Sequence, residues 1–169
     1  YKEVLSEKAK ENEYVQDVHV ESDLELMFPV MYIPNDAERV AIYRELDNME
    51  TETEILDFTI RMEDRFGKLP QQARELIRIV RLRRLAKPLG IEKIVLKNGK
   101  MSLNLVSDIE SPYYQSFAFG SLLNYVQEHP RNSKLREEGK KRSLLIGNVE
   151  TVENAVTILE EISEKNNNY

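Results

Sequence analysis

The chain has 169 residues, a formal net charge of −6 and no cysteine. This length suffices for one domain that buries roughly 70% of its unfolded surface, and the missing thiols exclude disulfides, thiolate catalysis and cysteine-based zinc sites. No apolar run approaches the roughly 20 residues that span a bilayer and no secretory leader is visible, so we expect a cytoplasmic protein with no membrane partner.

Polar sequence dominates the first segment, residues 1–17, which opens at Tyr1 within a helix-like pattern. We therefore expect a linker or helical tail of a preceding module, and hence a chain cut from a larger protein. The domain itself is expected at 18–165, with a frayed tail at 166–169. At its start, alternating apolar residues predict one strand whose face carries Val18, Val20, Leu24, Leu26 and Phe28.

Three helices are predicted next. Asn35 and Thr51 each precede a glutamate by three residues, the spacing of an N-terminal capping box. The second helix is expected to end at Gly67 in a left-handed conformation, and Pro70 is expected to begin the third. The third carries two apolar stripes, which predicts a central position; the stripes are Leu76-Val80 and Ile79-Leu82-Leu85-Ala86.

Two hairpins and two further helices are predicted in the second half. Asn98-Gly99 favours a tight two-residue turn between strands at 91–97 and 100–106. A helix is expected from Ser111-Pro112 to just before Pro130, a second hairpin at 133–147 turning near Gly139, and a last helix with its apolar stripe at 152–162. The pattern predicts an α+β fold, rich in helix, in which antiparallel hairpins form an antiparallel sheet packed with about five helices.

No catalytic, cofactor or metal site is expected from the residues. The six glycines stand apart, so no phosphate-binding loop is present, and the two histidines are far apart in sequence. No serine is paired with a base, and adjacent acids such as Glu63-Asp64 diverge on a helix. We therefore expect this chain not to be an enzyme.

Charge is unevenly distributed along the chain. Acids dominate 36–64, whereas the next helix, 74–87, and the hairpin 131–142 are basic. The helix carries Arg74, Arg78, Arg81 and Arg84. These clusters are either solvated faces or contacts to nucleic acid, although the net acidity opposes a general nucleic-acid binder.

The segment Asp64-Arg65-Phe66-Gly67-Lys68-Leu69-Pro70 separates two of the predicted helices. A corner between helices explains Phe66, Gly67 and Pro70, and Arg65 complements the helix dipole. Asp64 is unfavourable at a helix C-terminus, which suggests a positive partner. That partner is either a local base such as Arg65 or a basic surface on another domain.

This segment, with Tyr32-Ile33-Pro34, Arg39, Tyr43-Arg44 and Leu89-Gly90-Ile91, resembles the C-terminal (TRCF) domain of the bacterial transcription-repair coupling factor family, Mfd. The resemblance runs from about Leu24 to the last helix. It implies a non-catalytic domain whose parent is an ATP-driven double-stranded DNA translocase that removes stalled RNA polymerase and recruits UvrA for nucleotide excision repair.

The resemblance further implies that this domain packs on the N-terminal UvrA-binding module of the same protein and masks it. The acidic face with Asp64, Asp57 and Glu54 would then meet basic residues of that module. Arg65 and Arg61 are expected at the same interface, although the family often has an acid one helical turn before the motif aspartate, where this chain has Arg61.

Overall fold

The structure is a computed structural model that describes residues 14–167. Most of the predicted linker or tail, residues 1–13, lies outside the described part, as do residues 168 and 169. Val15 is already buried in the main core, and the ring of Tyr14 lies 5.4 Å from that of Tyr113. The packed part of the chain therefore begins a few residues before position 18.

The described residues form a sheet of five strands with order β1-β2-β3-β5-β4. The strands are β1 His19–Ser22, β2 Ile91–Lys97, β3 Lys100–Leu105, β4 Ser133–Glu138 and β5 Lys141–Gly147. Both predicted hairpins are confirmed, and Asn98 and Gly99 have φ angles of 56° and 69°, as the tight turn requires.

The prediction for the first strand is wrong in two respects. β1 ends at Ser22, whose hydroxyl accepts a hydrogen bond from the Leu24 amide at 3.0 Å and turns the chain, so Phe28 packs in a different core. β1 also pairs parallel with β2, which makes the sheet mixed rather than antiparallel. Parallel pairing is possible because a long helical crossover separates the two strands.

Five α-helices are present in residues 14–167, as predicted. They are α1 Asp36–Asp47, α2 Glu52–Phe66, α3 Gln71–Ala86, α4 Phe117–Glu128 and α5 Val152–Asn167. The side chains of Asn35 and Thr51 cap α1 and α2 by accepting from the amides of Glu38 and Glu54. α5 extends two residues into the expected tail.

Three predicted helix boundaries differ in detail. Gly67 has positive φ but extended ψ, at 86° and −171°, so it is not the left-handed residue expected. Pro70 is the N-cap of α3 rather than its first residue. The helix expected from Ser111 is a short 3₁₀ helix, Pro112–Gln115, followed by α4, because Ser116 is extended and its hydroxyl accepts from the Phe119 amide.

The central position predicted for α3 is confirmed, because this helix contributes to two separate cores. Ile79, Leu82 and Ala86 pack with the sheet, α4 and α5. The nearly opposite side of α3 packs with α1, α2 and the segment before them, through Ala73, Ile77 and Val80. The molecule therefore has α1 and α2 on one side of α3, and α3, α4 and α5 on one face of the sheet.

Candidate functional site

The outward face of α2 combines acidic and exposed apolar side chains. Asp57, Ile60 and Asp64 recur at spacings of three and four, which places them on one side of the helix, away from the buried stripe. Leu56 and Ile60 are 61% and 52% exposed, and Asp57 and Asp64 are exposed beside them. We call this set, Leu56, Asp57, Ile60 and Asp64, the α2 outer face.

Tyr32 holds the C-terminal end of this helix in place. Its hydroxyl donates a hydrogen bond to the Gly67 carbonyl at 2.7 Å and lies 3.2 Å from that of Met62, while its ring lies 5.5 Å from the ring of Phe66. Burial, with a smaller contribution from the nearby Glu63 carboxylate, raises the pKa of Tyr32, so the hydroxyl keeps its proton further into the alkaline range than an exposed tyrosine does. The last turn of α2, which carries Asp64, is thereby fixed.

Two other residues of the recognised pattern also have structural roles. Arg39 donates to the Ile33 carbonyl at 2.9 Å and pairs with Asp36, and the hydroxyl of Tyr43 accepts from the Phe28 amide at 2.8 Å. Both residues attach α1 to the segment that precedes it. These contacts give both side chains a structural role, so their presence in the family pattern does not require a role in binding.

Arg61 and Arg65, both predicted at the interface, form ion pairs within the domain. Arg61 pairs with Glu45 and Arg65 with Glu38, so both arginines connect α2 to α1. Arg65 is therefore not the partner of Asp64, and no ion pair among residues 14–167 includes Asp64. The sequence left two kinds of partner open for Asp64, a local base such as Arg65 or a basic surface on another domain. The Arg65 pairing is contradicted.

Asp64 borders a shallow crevice of about 360 Å³ between α1 and α2. Its lining combines apolar side chains with both charges: Ile42, Glu45, Arg61, Met62, Asp64, Arg65 and Phe66. The crevice thus brings three of the predicted interface residues together.

Glu54 is placed differently from the other predicted acids. Its carboxylate accepts from the Thr51 hydroxyl at 3.0 Å, and that hydroxyl accepts in turn from the Glu54 amide at 3.1 Å as the cap of α2. Asp57 lies on the outer face and Glu54 at the helix N-terminus, where its charge is already favourable. Glu54 therefore has a local structural explanation that Asp57 and Asp64 lack.

Most arginines of the basic helix are also neutralised within the domain. Arg81 and Arg84 pair with Glu52, the latter at 2.7 Å, and Arg78 lies 3.1 Å from Glu75 and 3.7 Å from Glu153. Arg74 is exposed and has no ion pair with any residue in the described range. The basic sequence of α3 therefore leaves little uncompensated charge on its surface.

The sequence interpretation missed the two apolar residues of the α2 outer face and the two glutamates on α1. Leu56 and Ile60 lie outside the buried stripe, and this off-stripe position was the available signal. The pairing of Glu38 and Glu45 with α2 had no sequence signal, because it depends on how the two helices meet.

Between residues 14 and 167, no group of three or more histidine, aspartate or glutamate side chains is arranged to hold a metal ion. Within the same range, no helix combines the length and the apolar character needed to cross a membrane.

Comparison with known proteins identifies a consistent set of relatives. The sequence profile of the TRCF domain matches residues 22–116, more than half of the chain. The transcription-repair-coupling factor of Escherichia coli K12 is 37% identical over 79 residues, which is 47% of this chain and 7% of that protein. That of Buchnera aphidicola is 30% identical over 129 residues, 76% of this chain and 15% of that protein.

The fold is similar to that of a solved domain. A crystal structure of the C-terminal domain of transcription-repair coupling factor superimposes with a TM-score of 0.72 at 13% identity, covering 90% of this chain and 95% of that one. The chain spans only about 7 to 15% of the length of the curated relatives named above. Its profile match and the residues that carry it show that the chain belongs to the TRCF domain family.

Proposed function

We propose that the chain is a non-catalytic regulatory domain of a transcription-repair coupling factor. In this proposal it docks on the UvrA-binding module of the same protein and masks it until the protein engages RNA polymerase. The parent would be an ATP-dependent double-stranded DNA translocase. The observation that supports docking most directly is Asp64, an exposed carboxylate at the C-terminal end of its helix, where the dipole disfavours a negative charge, with no basic partner in the described part of the chain.

The electrostatics of α2 favour a basic partner. The C-terminus of a helix carries a partial negative charge, and Asp64 adds a full one, so a cation arriving there is attracted by both. Asp57 lies about two turns earlier on the same side. A basic surface facing this row would therefore gain affinity and a defined orientation.

The apolar residues on the same face suit an interface between domains that forms and separates reversibly. Leu56 and Ile60 supply a small apolar area, while the acids flank it. Interfaces between domains that move are usually polar enough to separate, and a face with two apolar anchors and two charges has that character.

Capture of the UvrA-binding module by this domain tests the proposal. Asp64→Arg is expected to reduce the association constant about tenfold or more, which corresponds to about 1.4 kcal/mol. Glu160→Arg is the matched control: it makes the same charge change at an exposed glutamate of α5, outside the α2 outer face, and is expected to leave capture nearly unchanged. Equal loss in both variants would contradict a specific role for Asp64.

In the full-length parent, Asp64→Arg should weaken the docking of this domain and so expose the UvrA-binding module. We expect Asp64→Arg to raise basal ATPase activity and UvrA binding, and Glu160→Arg to raise neither. Unchanged activity and unchanged UvrA binding in the Asp64 variant would argue against autoinhibition through this face.

The alternative, nucleic-acid contact through the helix 74–87 and the hairpin 131–142, is less well supported at the helix. Arg78, Arg81 and Arg84 are held by Glu75 and Glu52 and would have to give up those partners. Because their release adds to the cost of binding phosphate, we do not propose the helix as a nucleic-acid surface.

A further inference from the structure

One face of the five-stranded sheet is not covered by any helix in the described structure. The buried residues of the strands alternate with half-buried or exposed ones, and the helices pack on the buried side. Across the uncovered side, one row of the register contains Val95, Ser102, Leu145 and Lys134. We call this side the open sheet face.

The open sheet face is rich in cations. It carries Lys93, Lys97, Lys100, Lys134, Arg136 and Lys141, against the acids Glu21 and Glu138. Glu21 pairs with Lys93 at 2.9 Å and with Lys97 at 3.6 Å, and this contact lowers the pKa of Glu21. The two lysines of β2 thus share one acid, and the cations without any acid partner in the described structure lie toward β4.

A concavity of about 270 Å³ at that end contains three cations and no acid. It is lined by Lys100, Pro130, Arg131, Asn132, Ser133, Lys134, Leu145 and Gly147. Lys100, Arg131 and Lys134 form no ion pair with any residue between 14 and 167, and Lys100 and Lys134 are exposed. This contrasts with α3, where acids of the same domain neutralise most of the arginines.

The concavity has a rigid wall. The amide of Gly147 donates to the Asn132 carbonyl at 2.8 Å, and the Asn132 side-chain amide donates to the Gly147 carbonyl at 2.9 Å. Gly147 leaves the floor free of a side chain, and a Cβ there would lie 2.9 Å from Asn132 Oδ1. The cations therefore surround a space that the backbone keeps open.

Strand geometry spreads the charges over a length suited to a polyanion. Lys134 and Arg136, two residues apart on the edge strand β4, are separated by about 7 Å, and Lys100 lies two strands away from Lys134, about 12 Å by strand spacing and rise. A single small anion would not reach all of these side chains, whereas a chain of phosphates would.

The scarcity of aromatic rings distinguishes between kinds of nucleic acid. The strand residues on the open sheet face include no phenylalanine or tyrosine between positions 14 and 167, and their one aromatic ring, His19, lies on β1 at the opposite edge from the concavity. Recognition of single strands usually relies on bases stacked on such rings. Because no aromatic ring of the described residues lines the cationic concavity, it favours contact with a phosphate backbone whose bases are already paired.

We propose that the open sheet face binds the phosphate backbone of duplex nucleic acid without sequence preference, through Lys100 and Lys134 of the strands and Arg131 of the adjoining loop before β4. This contact is independent of the docking proposed for α2, because it uses the opposite layer of the molecule. The sheet face, rather than the arginine-rich helix, is the nucleic-acid surface of the domain.

Fluorescence anisotropy of a labelled duplex with the 169-residue chain tests the proposal. With three phosphates neutralised, the logarithm of the association constant should fall against log salt with a slope of about −2.7, which is about 40-fold between about 50 mM and about 200 mM salt. Lys100→Gln combined with Lys134→Gln should reduce the magnitude of the slope to about 1.

The matched control removes two cations from the other side of the molecule. Lys68→Gln combined with Arg74→Gln makes the same charge change, and both residues are exposed. This control should retain the slope and most of the affinity, and thermal unfolding of each variant verifies that it is folded. Equal weakening in both double variants would overturn the assignment to the sheet.

Three further results would also overturn the proposal. They are no anisotropy change at low salt, tighter binding of a single strand than of a duplex, and displacement of the duplex by polyglutamate at equal charge concentration. The last would identify an acidic protein surface as the partner instead.

Discussion

Glu75 of α3 caps the N-terminus of α5 across the main core: its Oε1 accepts a hydrogen bond from the Val152 amide at 3.0 Å, and its Oε2 accepts from the Glu153 amide at 3.1 Å. Glu75 is 6% exposed, and Arg78 donates to the same carboxylate at 3.1 Å. Helix α5 is thus capped locally by Thr151, whose hydroxyl accepts from the Asn154 amide at 3.0 Å, and also by a residue 77 positions earlier in the chain. The negative charge also faces the positive end of the α5 dipole.

The first prediction concerns this cap. Glu75→Ala removes two charge-assisted hydrogen bonds and leaves buried amides without acceptors, so it should lower the free energy of unfolding by about 2 to 4 kcal/mol. Urea denaturation measures the loss. Glu153→Ala is the control, since this exposed residue touches Arg78 only at 3.7 Å, and it should cost less than about 1 kcal/mol. Equal losses in the two variants would contradict the capping role.

The second prediction concerns the contact between Gly90 and Tyr113. Gly90 has φ of 75°, and a Cβ there would lie 2.1 Å from Cε1 of the buried Tyr113 ring. Gly90→Ala should therefore destabilise the chain by about 3 kcal/mol, the sum of left-handed strain and overpacking. In a Tyr113→Leu background the overpacking disappears, and the added cost of Gly90→Ala should fall to about 1 to 2 kcal/mol. Simple additivity of the two substitutions would show that the ring is not the obstacle.

The third prediction concerns alkaline pH. Burial is the main cause that raises the pKa of Tyr113, whose hydroxyl donates to the Leu89 carbonyl at 2.6 Å, and burial also raises the pKa values of Tyr114 and Tyr125. A raised pKa in the folded state means that the folded chain binds more protons than the unfolded chain above about pH 10. The contribution of these tyrosines to the free energy of unfolding is therefore fully present below that pH, and it decreases as pH rises further.

Urea unfolding at several values between about pH 9 and about pH 11 should show this decrease. Tyr113→Phe removes one titrating group, so its stability should be lower at neutral pH, through the lost hydrogen bond, but should decline less steeply with rising pH. A decline as steep as that of the unsubstituted chain would mean that Tyr113 does not contribute to it.

The fourth prediction contrasts the two ends of α2. Asp64→Asn removes a negative charge from the C-terminus and should stabilise the isolated chain by about 0.3 to 1 kcal/mol, although we expect it to weaken docking. Glu54→Gln removes a charge of the same sign from the N-terminus and should destabilise the chain by a similar amount. Urea midpoints measured at low salt compare the two. A loss of stability in the Asp64 variant would indicate a local partner for that carboxylate.

Much of the fold was predictable because its signals are local. Asn98-Gly99 determines its turn through two positive φ angles, and Asn35 and Thr51 cap their helices within three residues. The strand β1 was misjudged because its partner β2 lies some seventy residues later and alternation does not reveal parallel pairing. The break at Ser116 depends on one side-chain hydrogen bond that competes with helix continuation.

The candidate site was predictable only in part, for a related reason. The position of Asp64 against its helix dipole is visible in sequence, whereas the engagement of Arg65 by Glu38 depends on the crossing of α1 and α2. The lysines of the open sheet face and its acid-free concavity could be recognised only after the register of the strands was known.

Because α3 packs on both sides, it separates the acidic α2 outer face from the basic open sheet face by two layer spacings, roughly 20 Å. The Debye length in about 0.1 M salt is about 10 Å. The two potentials are therefore largely screened from each other, so a chain of net charge −6 still presents a locally positive surface to a polyanion. Occupation of one face should leave the electrostatic affinity of the other almost unchanged.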